Sequence, residues 1–144
     1  MSVSVKEVQR ALAIKIGDLS GFREVRQLPE LFGRTQNTLA HLGFSVEVSN
    51  SQQANERQRI AVGLYVDTTV RVKIAYRLRP HDLVLDYGNA LDKEQEVIQA
   101  VMNRNFAKGI EVRFLRASRR TPDSQEYLIS EIELQALHTI QPGS

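Results

Sequence analysis

The sequence predicts a two-layer α+β domain: an antiparallel sheet of about four strands with two helices packed on one face, and room for a long β-hairpin arm. Three observations carry this. The run Val70-Arg71-Val72-Lys73-Ile74-Ala75-Tyr76-Arg77-Leu78-Arg79-Pro80 alternates apolar even positions with odd positions that hold Arg71, Lys73, Arg77 and Arg79. Such alternation belongs to a strand with one face in a core and the other against water or a partner. Two segments, near residues 4–17 and 89–102, instead repeat apolar residues at helical spacing. Alternating runs return at Ile110 to Phe114 and Leu128 to Ala136. The predicted order is helix, strand, long strand, helix, strand, strand.

Val5, Val8, Leu12 and Ile16 define the first helix, with Ser4 as N-cap and Glu7 three residues on as a capping box. Gly17 and Gly21 end it. Residues 22–33 read as an irregular connection in which the Leu28-Pro29 step disfavours helix, and a short helix is one reading of residues 34–42. Phe44 to Val48 alternates as a strand and runs into a polar loop, Ser49 to Gln58. From Ile60 the apolar phase holds through Val62, Leu64, Val66, Val70, Val72, Ile74, Tyr76 and Leu78. This is either one strand far longer than the usual ~5–6 residues, or two collinear strands broken near Asp67-Thr68. A single strand projects with residues 44–48 as a hairpin arm suited to an intersubunit contact, or bends around its own domain.

Pro80 ends pairing, residues 81–88 read as a connection containing Gly88, and Asn89 is the expected N-cap of the second helix. Ala90, Leu91, Glu94, Val97, Ile98, Val101 and Met102 form its core stripe, over about four turns. Gly109 follows the helix, and Ile110, Val112 and Phe114 oppose Glu111 and Arg113 on the next strand. Thr121-Pro122-Asp123-Ser124 makes the turn into the last strand. There Leu128, Ser130, Ile132, Leu134 and Ala136 face inward and Glu131, Glu133 and Gln135 outward. Residues 1–140 read as one domain and 141–144 as a disordered tail.

A chain of 144 residues, 42% apolar and 25% charged, suits one globular domain that folds without staples. The absence of cysteine excludes disulfides, iron–sulfur clusters and cysteine-based zinc sites. No apolar run approaches the ~18 residues of a bilayer span and no secretory apolar block opens the chain, so no membrane partner is expected. A net charge of +2 names no polyanionic partner. Its placement is uneven. Residues 71–79 carry cations without an acid, and residues 104–120 carry Arg104, Lys108, Arg113, Arg116, Arg119 and Arg120 against Glu111 alone. Asp82, Asp86, Asp92, Glu94 and Glu96 surround the second helix, and Asp123, Glu126, Glu131 and Glu133 lie in a C-terminal stretch without Lys or Arg. This segregation makes either cross-strand ion pairs within one subunit or oppositely charged faces that meet between identical subunits.

Nothing in the residues announces catalysis, and the expectation is a protein without enzymatic activity, metal or cofactor. His41, His81 and His138 occupy unrelated segments, and His81-Asp82 lacks a neighbouring nucleophile. Asp82, Asp86 and Asp92 lack the glycine and terminal glutamate of an EF-hand loop and suit a solvated turn and a helix start. Walker and dinucleotide glycine motifs are missing, and Ser118, Ser124 and Ser130 lack a hydrolase's glycine elbow. Arg113, Arg116, Arg119 and Arg120 suit phosphate contacts, but Phe114 takes the opposite strand phase, which disfavours a single-strand reader that stacks bases.

The segment Thr69 to Asp82, with its Tyr76-Arg77-Leu78-Arg79-Pro80-His81-Asp82 ending, followed by Ala90-Leu91-Asp92-Lys93-Glu94-Gln95-Glu96-Val97-Ile98 and the closing strand Ile129 to Leu137, resembles tailed-bacteriophage tail terminator and tail-completion proteins. The likeness runs from the first helix to residue 140. It implies a small α+β structural protein that forms a hexameric ring on the last ring of tail tube protein, stops tube growth and presents a surface to the neck or head connector. The implied partners are further copies of itself, tail tube protein, neck or connector protein, and a sheath terminal ring where the tail contracts. DNA enters only as it passes through the lumen. The implied location is the tail–neck junction of a virion, after assembly in the host cytoplasm. Under this resemblance the ring closes by heterologous contacts, basic surface against acidic. Arg71, Lys73, Arg77, Arg79, Glu131 and Glu133 are then the candidate subunit-interface or lumen residues. Two other readings stand beside it: a neck or head–tail connector adaptor ring of the same fold, and a monomeric host binding module.

Overall fold

A computed structural model describes residues 2–25, 41–54, 64–102, 107–121 and 126–140. Residues 34–40 of the helix read as one option over 34–42, the Leu28-Pro29 step, the arm tip, the Thr121 turn beyond its first residue and the C-terminal tail lie outside the described residues, while residues 41 and 42 are turn.

Helix α1, Val5–Gly17, begins as its capping box requires, with the Glu7 amide donating to Ser4 Oγ at 3.1 Å. Val8, Leu12, Ala13 and Ile16 bury one face of it. Gly21 then turns the chain at φ +90°, where an added Cβ would stand 3.1 Å from Leu42 Cδ1. This delivers β1, Arg23–Glu24, to β2, Gly43–Gln53. The remaining strands are β3, Leu64–Arg77; β4, Glu111–Arg120; and β5, Tyr127–Ile140. Helix α2, Leu83–Val101, follows β3 through a short 3-10 turn at Pro80–Asp82. The sheet order is β1-β2-β3-β5-β4. Every pairing is antiparallel except that of β1 with β2.

The fold is thus the expected α+β domain with a five-stranded mixed sheet, one strand more than the reading of about four. The extra strand, β1, is too short to carry a period of its own. Both helices pack on one face, where Phe44, Val46, Val70, Val72, Ile74, Ile132, Leu134 and Ala136 meet Val8, Leu12 and Ile16 of α1 and Val97 and Val101 of α2. Burying a side chain such as Leu12 or Phe44 there stabilises the fold by about 1.5–3 kcal/mol.

Two boundaries differ from expectation, and one open alternative is decided. Residues 49–53 are strand, not loop, because a register irregularity between Val48 and Asn50 shifts the phase and the following polar side chains remain paired with β3. The long strand is continuous across Asp67-Thr68. It pairs over its whole length with β5, from Leu64↔Ile140 to Arg77↔Tyr127, so its far part lies between two neighbours in a sheet and is not a free two-stranded arm. Helix α2 starts at Leu83, so residues 83–88 are helical and Asn89 is interior, not a cap. Asp86 explains this start: it reaches back one turn and accepts the Arg79 amide at 2.7 Å, which ties the helix entrance to the end of β3. The first turn of α2 points apolar side chains outward and an acid inward, an inversion that erases the amphipathic signal.

Candidate functional site

The sheet face opposite the helices collects five of the six candidate residues, four of them in two adjacent rows. The register places Glu47, Arg71, Glu133 and Arg116 in one row across β2, β3, β5 and β4, and Ser45, Lys73, Glu131 and Ser118 in the next. Acid and base therefore alternate across the first row and meet at the centre of the second, and the pairs close within one subunit, two of them diagonally between the rows. Arg116 Nε donates to Glu133 at 2.7 Å, Lys73 Nζ lies 3.8 Å from Glu47, and Arg71 Nε lies 3.7 Å from Glu131. Lys73 is the buried member, and desolvation pushes its ammonium below the usual lysine range against the opposing pull of Glu131 and Glu47. This face is not uniformly polar as expected. At one end Ala75, Tyr127 and Ile129 are buried in a second apolar cluster with Val25 beside them.

The other two candidates part company. Arg77 is exposed on this face with no ion pair among the described residues, while its amide donates to His41 Nδ1 at 3.1 Å. Arg79 lies past the end of β3, where its guanidinium donates to both oxygens of Asp86 at 2.9 and 3.1 Å and stands 3.6 Å from Asp82. The hydrogen bonds from Arg79 hold the Asp86 carboxyl below the usual range. Asp86 is thus a buried anchor, not the solvated turn residue expected of it.

The arginine group of β4 is split by an irregularity between Phe114 and Arg116. Arg113, Arg116 and Arg120 stay on the open face. Arg119 is turned to the helix face, where it binds both carboxylate oxygens of Glu94 on α2, one through Nε at 2.9 Å. Glu94 belongs to the inward stripe as expected, but as a buried anion. Its partner was invisible in the sequence because one bulged residue inverts the phase.

The histidines are structural where the structure describes their contacts. His138 is buried, and its Nδ1 donates to the Val3 carbonyl at 2.7 Å. Its Nε2 therefore accepts from the Thr68 hydroxyl at 2.7 Å, which in turn accepts from Ser51 at 2.9 Å. This chain, with the Val3 amide on the Thr139 carbonyl at 2.7 Å, straps the N-terminal residues to β5. His41 packs edge-on against Tyr76 at 4.5 Å, and burial lowers its pKa. His81 is exposed in the 3-10 turn. Among the described residues no group of three His, Asp or Glu side chains is placed to hold a metal, and no helix is long and apolar enough to cross a membrane.

Three surface features depart from the sequence reading. Leu83, Val84, Leu85 and Tyr87 are exposed in the first turns of α2, Val84 at 90%, beside an open cleft of about 600 Å³ lined by residues 80–85. Phe114 and Leu115 are exposed at the β4 irregularity, and Met102 at the far end of α2 is exposed rather than part of the core stripe.

No protein-family model matches the chain, and no curated protein is detectably similar to it in sequence. Among solved structures, it is similar to a chain in the virion of a native gene transfer agent particle, with a TM-score of 0.57. The two share 14% identity over 92% of this chain and 94% of that one. The shared property is the fold.

Proposed function

We propose that this chain is a structural protein of a virion-type particle: a tail terminator whose copies, six in number, close into a ring that caps the tail tube, ends its growth and joins tail to neck. The observation that carries the reading is a fold shared over nearly the full length of both chains with a component of a gene transfer agent virion. The likeness of residues 69–82, 90–98 and 129–137 to tail terminators supports the finer station. Its work is assembly, not catalysis, with tail tube protein on one side, neck or connector protein on the other, and DNA passing through the lumen.

Charge pairing within each subunit balances the central rows of the open sheet face, leaving cations such as Arg77, Arg113 and Arg120 around them. Arg77, unpaired among the described residues, is its candidate interface or lumen residue. An Arg77→Glu change weakens ring formation if the residue sits at a subunit contact and leaves it unchanged if the residue faces the lumen.

Light scattering after size exclusion, across protein concentration, together with negative-stain imaging, tests the reading. A closed ring, of about six subunits as the likeness to tail terminators implies, is expected, and that ring should bind tail tubes. Binding to connector rings instead would move it to the neck-adaptor station. A monomer with affinity for neither would leave the binding-module reading.

A further inference from the structure

We infer that the subunits join head to tail through apolar contacts, the first turn of α2 of one copy seating against the β4 edge of the next. This rests on the ring reading and names the surfaces that close the ring.

The first turn of α2 is inverted relative to a surface helix. Its one acid, Asp86, is buried and bound to Arg79, while Leu83, Val84 and Leu85 project into solvent, with Tyr87 a turn further on. A contiguous apolar knob of this kind normally has a partner. It makes no contribution to the apolar clusters of its own subunit.

The same chain supplies a second uncovered surface. Strand β4 is the sheet edge, so its outer backbone groups have no strand neighbour among the described residues. Of its residues only Val112 and Ala117 are even partly buried, and its irregularity presents Phe114 and Leu115. The knob and the Phe114–Leu115 part of this edge cannot meet within one subunit. Arg119 meets Glu94 midway along α2, and Ala90, nearer the knob, packs with Leu128, which precedes the residue paired with Arg120. Strand β4 therefore runs back toward the knob end as α2 runs forward, and Leu115 and Phe114 stop four and five residues short of Arg119, roughly 13–17 Å along the strand at ~3.3 Å per residue on the side of Glu94 away from the knob. Two different patches on one chain, set apart in this way, make a heterologous contact that repeats until the ring closes. Charge agrees with this pairing. Asp92 is exposed on the knob half of α2, while Arg113, next to Phe114, is exposed on β4 without an ion pair among the described residues.

The test uses Val84→Asp and Leu115→Asp, both at exposed positions outside the apolar clusters, where substitution should leave folding close to that of the unaltered chain. Each variant alone should need at least tenfold more protein to assemble than the unaltered chain. Mixed in equal amounts they should form dimers and nothing larger, because one intact knob meets one intact edge. The absence of native cysteine allows a second readout. Oxidising the Val84→Cys/Leu115→Cys double variant should give a ladder of covalent oligomers, and an Ile14→Cys/Leu115→Cys control should not. Rings formed by Val84→Asp at the concentration of the unaltered chain would overturn the inference while leaving the ring reading intact. So would covalent dimers without higher species, which indicate a symmetric knob-to-knob contact. An unaltered chain that is monomeric at every concentration and binds neither tail tubes nor connector rings would overturn both.

Discussion

Removing Arg119 should damage the fold more than removing its partner, although both lie in one ion pair. Glu94 has 4% of its side chain exposed and Arg119 37%. Arg119→Ala leaves a buried carboxylate without its cation, whereas loss of Glu94 leaves a guanidinium that can turn to water. Breaking a buried pair typically costs ~3–5 kcal/mol; the exposure of the arginine end screens the interaction and brings the expectation for Arg119→Ala to about 2–3 kcal/mol. Glu94→Met fills the same volume with an apolar chain and should stay within about 1 kcal/mol of the unaltered protein. At ~2–4 °C per kcal/mol for a chain of this size, Arg119→Ala should lower Tm by about 4–12 °C. Thermal and urea unfolding of the two single variants and the double variant measure this directly. Equal losses for both single variants, or a loss below about 0.5 kcal/mol for Arg119→Ala, would refute the claim that an uncompensated buried carboxylate sets the cost.

Asp86 carries a depressed pKa, so its stabilisation is present above the ordinary carboxylate value and is lost as pH falls through the depressed one. Asp86→Asn should therefore be less stable near neutrality and converge with the unaltered protein in acid, as followed by melting across pH. For Lys73 the unfolded chain holds its proton more tightly than the folded one, so stability rises as pH climbs from the depressed value toward the ordinary lysine range. Lys73→Met should lack that alkaline rise in the same series. Thr68→Val removes the hydroxyl that donates to buried His138 and should cost about 1–3 kcal/mol in urea titrations, with faster amide exchange at Val3. Phe44→Ala, at the centre of the core, should cost about 3–5 kcal/mol by the same measurement.

Periodicity determined the layers. Alternation along residues 70–78 and 128–136 identified one buried sheet face, and the three- and four-residue spacing in α1 identified what covers it, because these signals depend only on neighbours along the chain. Ser4 and Glu7 announced the helix start for the same reason. Where a long-range partner decides, the sequence was silent. Asp86 reads as a turn acid until Arg79 is seen folded onto it, and Arg119 reads as open-face charge until the β4 irregularity turns it to Glu94. Thr68 reads as a break until Ser51 and His138 satisfy its hydroxyl. The cations and acids of the central sheet were legible as segregated blocks, but their pairing within the subunit required strand order and register. The exposed knob at Leu83–Leu85 was hidden for a related reason: composition says that a residue is apolar, and only packing says which way it points. Local pattern thus determined which faces are apolar. Tertiary structure alone decided which charges are neutralised and which apolar side chains remain uncovered, because both depend on residues brought together from distant parts of the chain.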